Sequence, residues 1–566
     1  MEILETDVLV IGGGGAAARA AIEASDSGAH VTILVKGSFG ESGSTASAKS
    51  EAMGIAAALG YDDSNDNPDT HFQDTIDVGL GLCDENLVKI LCDEAPQRVL
   101  DLIQWGVNFD KYANGRILQR RSDSGSYARV CTSQGVTGKA ILESLTRQVK
   151  QRGISIYEDT MALRLLTSGQ IVVGAIASNL KTEEITTFIA RSTIVATGGA
   201  GAIYPHSALA PELTGDGYAL SCDVGAPLVN MEFVQMGPAL IYPFVRIFSA
   251  SLWRLRPKLY NSDGREFLNE YLPDGTSADE IFDSKTFPFT TRTKAMLLDI
   301  AIYSEIKGGR GTKHGGVFFD VTHVPENKIL SLAPITFQDL LSKGIDIREQ
   351  PVEIGIAVQN FNGGVLINER TETSVSGLYA AGEAAGGVRG ADRPGGNALA
   401  ECQVFGARAG KFAGQRSRHE KKKIEVDRAK IAKLVDGISD TSGSTAQVAP
   451  KTIMEQIGKI MHREVFISRR QEGLHQALHE LDVLHRKKLS TLSKSKTNAG
   501  LRRSLRNAIT VAKAITLAAL VRQESRGSHY REDYPVRNDC EWRKFVLIRK
   551  SRGDLTHSTA VPRRCT

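Results

Sequence analysis

Residues 3–21, ILETDVLVIGGGGAAARAA, decide the fold of this chain. Asp7 to Ile11 is a short apolar run suited to a strand buried on both faces. It breaks into four glycines, Gly12 to Gly15, and continues as an alanine-rich helix former. Read as G-x-G-x-x-A, the pattern falls on Gly12, Gly14 and Ala17. Gly12 permits the tight turn, Gly14 lets backbone N–H groups approach a pyrophosphate, and Ala17 lets the helix lie close to the strand with its N-terminus facing the phosphates. A glycine motif alone is weak, but this one follows a strand and opens a helix. The next apolar run, His30 to Val35, closes a βαβ unit of roughly 30 residues, which favours a dinucleotide site.

Working outward, 566 residues are too many for one core. The 41% hydrophobic content and 55 glycines suit an α/β enzyme with many tight turns. A net charge of only +4 excludes a generic nucleic-acid binder. The cysteines (Cys83, Cys92, Cys131, Cys222, Cys402, Cys540 and Cys565) form no C-x-x-C, so neither a disulfide framework nor a zinc or iron–sulfur site held by this chain is expected, and no metal ligands are assigned. No charged-then-apolar leader precedes the first strand. The longest apolar stretch, near 509–521, contains Lys513 and is too short to span a bilayer, so the expectation is a soluble, cytoplasmic protein with no direct membrane span.

Along the chain, Glu41 to Leu59 is rich in small residues that suit a backbone lying against a flat cofactor. Asp84 to Trp105 and Gly138 to Gln151 read as amphipathic helices, and 154–156, 162–166 and 171–178 as strands. TIVATGGAGAIYP (193–205) is a second strand–turn unit, and TGDGYALSCDVGA (214–226) a turn into a helix. Residues of about 235–350 are rich in aromatics and lose the glycine regularity, as an inserted domain does. The α/β style returns at 377–387 and 393–410. From about 420 to 525 the chain is charged and helical, and the residues after about Lys550 lack periodicity and are expected to fray.

Seven segments in order, VIGGGGAAARAA, SGSTASA, ATGGAG, TGDGYA, GAPLVNMEFVQ, GLYAAGEAAGGVRGADRPGGNALAE and ESRGSHYREDYPVRND, resemble the flavoprotein subunit family of succinate dehydrogenase and fumarate reductase, which includes L-aspartate oxidase and adenylylsulfate reductase. The resemblance covers roughly residues 5–545. It implies an α/β chain with a Rossmann-like FAD-binding domain in two sequence segments (1–234 and 351–415), an inserted α+β capping domain (235–350), a C-terminal helical domain (416–549) and a tail (550–566). It further implies that Gly12, Gly14, Gly15 and Ala16 cradle the FAD pyrophosphate, that Lys36 stands by the adenosine ribose, and that Ser42, Ser44 and Thr45 hold phosphate and ribityl oxygens. Ala196, Thr197, Gly198 and Gly199 would approach the adenine side, Asp216 would fix the adjoining turn, and Glu383 would bind cofactor hydroxyls. Asn397, Ala398 and Leu399 would begin a helix aimed at the flavin N1–O2 edge, where a helix N-terminus stabilises the charge of reduced flavin. The segment Glu41–Thr45 lacks the histidine that bonds flavin covalently in respiratory fumarate reductases, so non-covalent FAD is expected.

The dicarboxylate site of that family is largely missing. Met236-Gly237-Pro238 stands where the family has an aromatic and His-Pro. Ser249 to Leu255 replaces T-E-G-x-R-G-E-G, Ile300 replaces the shuttle arginine, and Asn360 replaces a histidine. Arg393, which in the family clamps substrate carboxylate, remains. A small anionic organic substrate other than succinate, fumarate or aspartate is therefore expected, held by Arg393 with Tyr242, Arg246 and Arg254. Arginines around Trp253 (Arg246, Arg254 and Arg256) would suit a larger anion, unless they are surface or interdomain residues. Tyr242 is an acid or a structural tyrosine. His206 and Cys402 read as structural, and the motif around His529 as an ion-paired tie to the cap through Glu524, Arg526, Arg531 and Asp533. Lacking cluster ligands, the chain is expected to exchange electrons with an iron–sulfur protein. The basic runs 421–423 and 486–496 are either solvated helix faces or the docking surface for that partner. The alternatives are oxidation by dioxygen as in L-aspartate oxidase, an adenylylsulfate-reductase-like enzyme, or an electron-routing member of a larger complex.

Overall fold

The computed structural model describes residues 2–47, 53–420, 426–439, 449–488 and 498–565. The opening motif forms as expected: strand β1 (Glu2–Ile11), helix α1 (Gly15–Asp26) and strand β2 (Val31–Leu34), with Val8 to Ile11 in parallel register with Val31 to Leu34. On its other edge β1 pairs in parallel with Ile185–Val195 along its length. That long strand serves two partners. Its first half carries the antiparallel meander of Thr160–Ser168 and Ile171–Asn179, and its last three residues pair in parallel with Leu378–Ala380, returned from later in the chain. The two sequence segments of this domain thus meet in one sheet.

Two helices lie back to back on one face of this sheet, α1 and Asn397–His419. Their backbones approach closely because Gly406, Gly410 and Gly414 recur every four residues on one face. A Cβ at Gly410 would lie 2.1 Å from the Ala20 carbonyl oxygen, and one at Gly406 would lie 2.8 Å from that of Ala16.

The inserted segment builds an antiparallel sheet in the order Arg246–Ile247, Val234–Leu240, Val352–Phe361, Val317–Asp320, Lys258–Tyr260. Val352–Phe361 belongs to this cap sheet, so the cap extends past the boundary expected at residue 350. Helices Pro450–Glu464, Gln471–Val483 and Ala499–Val521 pack together as the C-terminal helical unit. Ala499–Val521 is long and apolar enough to cross a membrane by length and composition, but 67% of its apolar window is buried inside the protein. The expected fraying after Lys550 is not found. Phe545–Ser551 and Asp554–Ala560 form a hairpin whose first strand pairs with Leu228–Val229. Seven cross-strand pairs and the burial of Phe545 to Ile548 hold it, a pattern too short to register as periodicity. The basic residues 421–423 and 489–496 lie outside the described residues.

Candidate active site

Two joined cavities run from the β1–α1 turn to the underside of the cap, sharing Ser44, Thr45, Glu383 and Cys402 on their walls. The narrower one, about 120 Å³, is lined along one side by the glycine turn Gly12 to Gly15. Gly12 has φ +131°, and a Cβ there would lie 2.2 Å from the Ala196 carbonyl oxygen. Only glycine fits, so the chain turns under the cavity without covering it. The Gly13 and Gly14 N–H groups have no partner among the described residues, and Gly15 N–H is 3.3 Å from Thr45 Oγ1, leaving the start of α1 open to an anion. At the far end Lys36 Nζ binds Asp216 Oδ2 (3.0 Å), Thr214 Oγ1 (2.9 Å) and the Glu212 carbonyl (3.0 Å). Asn507, from the C-terminal helix Ala499–Val521, donates to Asp216 Oδ1 (2.7 Å) and closes that end. Thr197 Oγ1 accepts from Gly217 N (3.0 Å) and joins the two turns.

Glu383 stands where the cavities meet. Its Oε1 accepts from Phe361 N (2.9 Å), and a Cβ on Gly199 would lie 2.8 Å from that oxygen. Burial raises its carboxyl pKa, opposed by Arg389. Cys402 faces the same junction with its thiol pushed up to about 12 by burial, so it is protonated at neutral pH.

The wider cavity, about 510 Å³, is lined by side chains from both domains. Gly395, Gly396, Ala398 and Leu399 present the N-terminus of helix Asn397–His419 to it, with Gly396 in the left-handed conformation (φ +88°). Its cations are Arg246, Lys343, Arg389 and Arg393, and its carboxyl groups are Asp123 and Glu383. Three cations are already matched: Arg389 pairs with Glu401 (2.6 Å), and Arg246 and Lys343 share Asp339 (2.5 and 3.0 Å). Arg393 is different. It is 8% exposed and bonds only neutral acceptors, Gln235 Oε1 (3.3 Å) and the Pro394 carbonyl (3.1 Å). No carboxylate of the described residues lies within ion-pair distance of it. Glu401, Asp392 and Glu383 act on it only at longer range, so its guanidinium is the one cation of the described residues on this wall placed to take an anion from outside the chain.

The FAD binding domain family matches residues 7–399, and the fumarate reductase flavoprotein C-terminal family matches residues 454–561. This chain belongs to the flavoprotein family of fumarate reductase and succinate dehydrogenase. One subunit of the CoM/CoB fumarate reductase of Methanothermobacter marburgensis is 37% identical over 97% of this chain and 98% of its own length. The chloroplastic L-aspartate oxidase of Oryza sativa is 32% identical over 98% and 85%. Among solved structures, Mycobacterium smegmatis Sdh1 superposes with a TM-score of 0.87 at 29% identity over 100% of this chain and 95% of that one. A quinol–fumarate reductase with menaquinol superposes at 0.86 with 25% identity, over 100% and 99%. The protein is an FAD-dependent oxidoreductase, and the glycine cradle, the open helix start and the second helix N-terminus fit that cofactor.

Within this flavoprotein the residues expected at the cofactor divide in two. Gly12, Gly14, Gly15, Ala16, Lys36, Ser42, Ser44, Thr45, Ala196, Thr197, Gly198, Asp216 and Glu383 all line the narrower cavity, and Ala398 and Leu399 line the wider one. Gly199 lies behind Glu383. Asn397 begins its helix as expected, and its side chain anchors that start, receiving a bond at Oδ1 from buried His71 (2.8 Å) and donating Nδ2–H to Thr75 (3.1 Å).

The expected substrate residues fare less well. Arg393 and Arg246 line the wider cavity, but Asp339 neutralises Arg246. Tyr242 is 47% exposed and stacks on His314 on the outside of the cap (centroids 3.6 Å apart), and is neither a buried structural tyrosine nor a wall of the cavity. Arg254 is exposed, and Arg256 pairs with Asp279 and Asp283. Trp253 is fully buried against Phe282 and Phe319. The arginines around Trp253 therefore do not converge on a ligand, because the short helix Ala250–Trp253 points its indole into the cap core, with Arg254 exposed and Arg256 held by surface carboxylates. The tie through the late motif also lands elsewhere: Arg522 pairs with Glu232 (2.6 Å), and Arg526 with Glu524 (2.7 Å) and the Leu80 carbonyl, so it grips the FAD domain. Asp123, Lys343, Gln359 and Phe287 line the cavity without any motif to mark them; they come from loops and elements far apart in the chain, which only the fold brings together.

Proposed function

We propose that this flavoprotein transfers a hydride between flavin N5 and a small organic anion held by Arg393, and exchanges electrons with a separate iron–sulfur protein. The observation that carries this reading is the buried Arg393 guanidinium, which faces the wider cavity with no carboxylate partner among the described residues. FAD supplies the hydride chemistry when bound. The chain supplies the rest. Arg393 fixes the anion, the N-terminus of helix Asn397–His419 stabilises negative charge at the cavity floor, and the cap sheet excludes water above it. Asn360 on the cavity wall offers no charge to a carboxylate, and Arg246, Lys343 and Arg389 are already paired, which favours a substrate other than a four-carbon diacid, although the methanogen relative is named as a fumarate reductase subunit. The names of the relatives as subunits support a partner protein. FAD is non-covalent in this reading, since Ser42 to Thr45 stand on the cavity wall and no histidine does among the described residues.

The test is reoxidation of the photoreduced flavin by a panel of anions, fumarate included, in the absence of air. Rapid bleaching or recovery by one anion, and its loss in Arg393→Gln, supports the proposal; equal rates with and without Arg393 overturn it. Rapid reoxidation by air alone would move the protein to the oxidase reading that the aspartate oxidase relatives suggest. Yellow colour that stays with the denatured chain on a gel would overturn non-covalent binding.

A further inference from the structure

The wider cavity contains a second group that the substrate reading does not use. Asp123 sits in the loop Ser122–Gly125, between the strands Gln119–Arg121 and Ala128–Cys131. The loop is pressed against the turn that opens helix Asn397–His419. Gly395 N donates to the Asp123 carbonyl (3.4 Å), and a Cβ on Gly395 would lie 2.9 Å from that of Ser122. On the cap side Phe287 N donates to Asp123 Oδ2 (3.2 Å), and the Arg292 guanidinium bonds Ser124, which adopts the left-handed conformation (φ +65°). The carboxyl is therefore fixed at one oxygen from the cap and by its own backbone from the FAD domain. The other oxygen has no hydrogen-bond partner among the described residues, and Asp123 is part of the cavity wall.

We propose that Asp123 is the proton-exchanging group of this site, facing an anion that Arg393 holds from the neighbouring turn. This rests on the anionic-substrate reading above. In the reducing direction the hydride adds to one atom of the substrate's double bond, and the Asp123 proton adds to the adjacent atom. The π-electron pair becomes the bond to that proton, the O–H pair stays on the carboxylate, and water reprotonates it. Arg393 is the group that holds the anion, which leaves Asp123 as the carboxyl beside it to exchange the proton. Burial raises the Asp123 carboxyl above its ordinary range, against the pull of the Phe287 N–H, Lys285 and Arg254. Those charged neighbours are cations of the cap, and Lys285 is itself paired with buried Asp299 (2.7 Å).

Isotope-edited infrared difference spectra of the FAD-loaded protein test this without a known substrate. The wild type is expected to show a carboxyl band that changes when flavin is photoreduced or oxalate is added, and Asp123→Asn is expected to lack it. Identical spectra overturn the proposal. With an acceptor from the panel, Asp123→Asn is expected to slow reoxidation about 100-fold or more while oxalate affinity changes less than about threefold. An unchanged rate overturns it as well. Arg393→Gln separates the two readings. Lost oxalate affinity with the Asp123 band retained supports both; retained affinity sinks the anion site and leaves the band assignment to stand or fall alone.

Discussion

The two cavities of this flavoprotein are built by different means. The narrower has its floor set by glycine-rich turns, Gly12 to Gly15 and Ala196 to Gly198, with side chains such as Lys36, Asp216 and Glu383 added around them. The wider is walled by side chains from at least five separate segments, among them 122–123, 244–249, 287–288, 359–360 and 393–399. A nucleotide cradle made of amides tolerates little change, because any side chain at the turn fills the space meant for phosphate. A wall of side chains can be exchanged one residue at a time, since each projects from a frame that its neighbours hold. That difference gives a physical reason why a cofactor cradle can keep its form while the wall of a neighbouring cavity changes.

The contrast is sharpest at Gly12. Gly12→Val is expected to abolish FAD binding, with more than about a thousandfold loss of affinity, because its Cβ would collide with the Ala196 carbonyl and its φ is one that valine avoids. The measure is the flavin-to-protein absorbance ratio after purification, and a yellow variant would break the comparison.

A second prediction concerns the anchor of the helix that links the two halves. His71 is fully buried and held neutral, its pKa pushed down from 6.5 to about 4 by burial. The unfolded chain binds this proton more readily than the folded one. Stability from this group is therefore fully present above about pH 6.5 and is lost as the pH falls towards about 4, by about 3 kcal/mol. Melting temperatures across that range should fall in the wild type and fall less steeply in His71→Gln. Equal slopes would show that the anchor does not titrate.

On the substrate side, two arginines of one cavity should behave differently. Arg393→Gln is expected to weaken oxalate binding about 30- to 100-fold without lowering the melting temperature, since it removes a buried cation that has no carboxylate partner among the described residues. Arg246→Gln should change oxalate affinity less than about threefold, because Asp339 already neutralises Arg246, and should cost stability instead. Titration calorimetry on both variants decides it; equal losses would mean that the cavity binds by net charge alone. The smallest effects belong to Tyr242→Phe and Arg254→Ala, expected within about 0.5 kcal/mol of wild type in stability and unchanged in oxalate affinity, as both side chains are exposed.

What is legible in the sequence follows the same division. The motif at 12–17 is legible from its spacing, and the turn at 196–199 and the helix start at 396 from contiguous motifs that resemble the family, since each places its chemistry within a few residues. Arg393 is legible for the same reason, as part of a contiguous motif. Tyr242, Arg246 and Arg254 have only the right residue type near an expected pocket to recommend them. Type does not fix direction: one helical turn decides that Trp253 points into the core and Arg254 out of it. Asp123 carries no signal at all, as a single acid in a serine-rich loop. The C-terminal hairpin escapes a reading by periodicity because its stability comes from pairing with Leu228–Val229, more than 300 residues away in sequence.

The amino-acid sequence by itself determined the βαβ frame and its dinucleotide turn, because these depend on local backbone geometry and on the period of apolar residues, while the family resemblance carried by ordered motifs implied FAD and the return of the chain to one sheet. Only the tertiary structure decided which charges face the substrate cavity, that Arg393 is left without a carboxylate partner there among the described residues, and that Asp123 joins it on the wall. Those properties are fixed by how distant segments pack and which ion pairs form among them, and no spacing within a single stretch of chain encodes either.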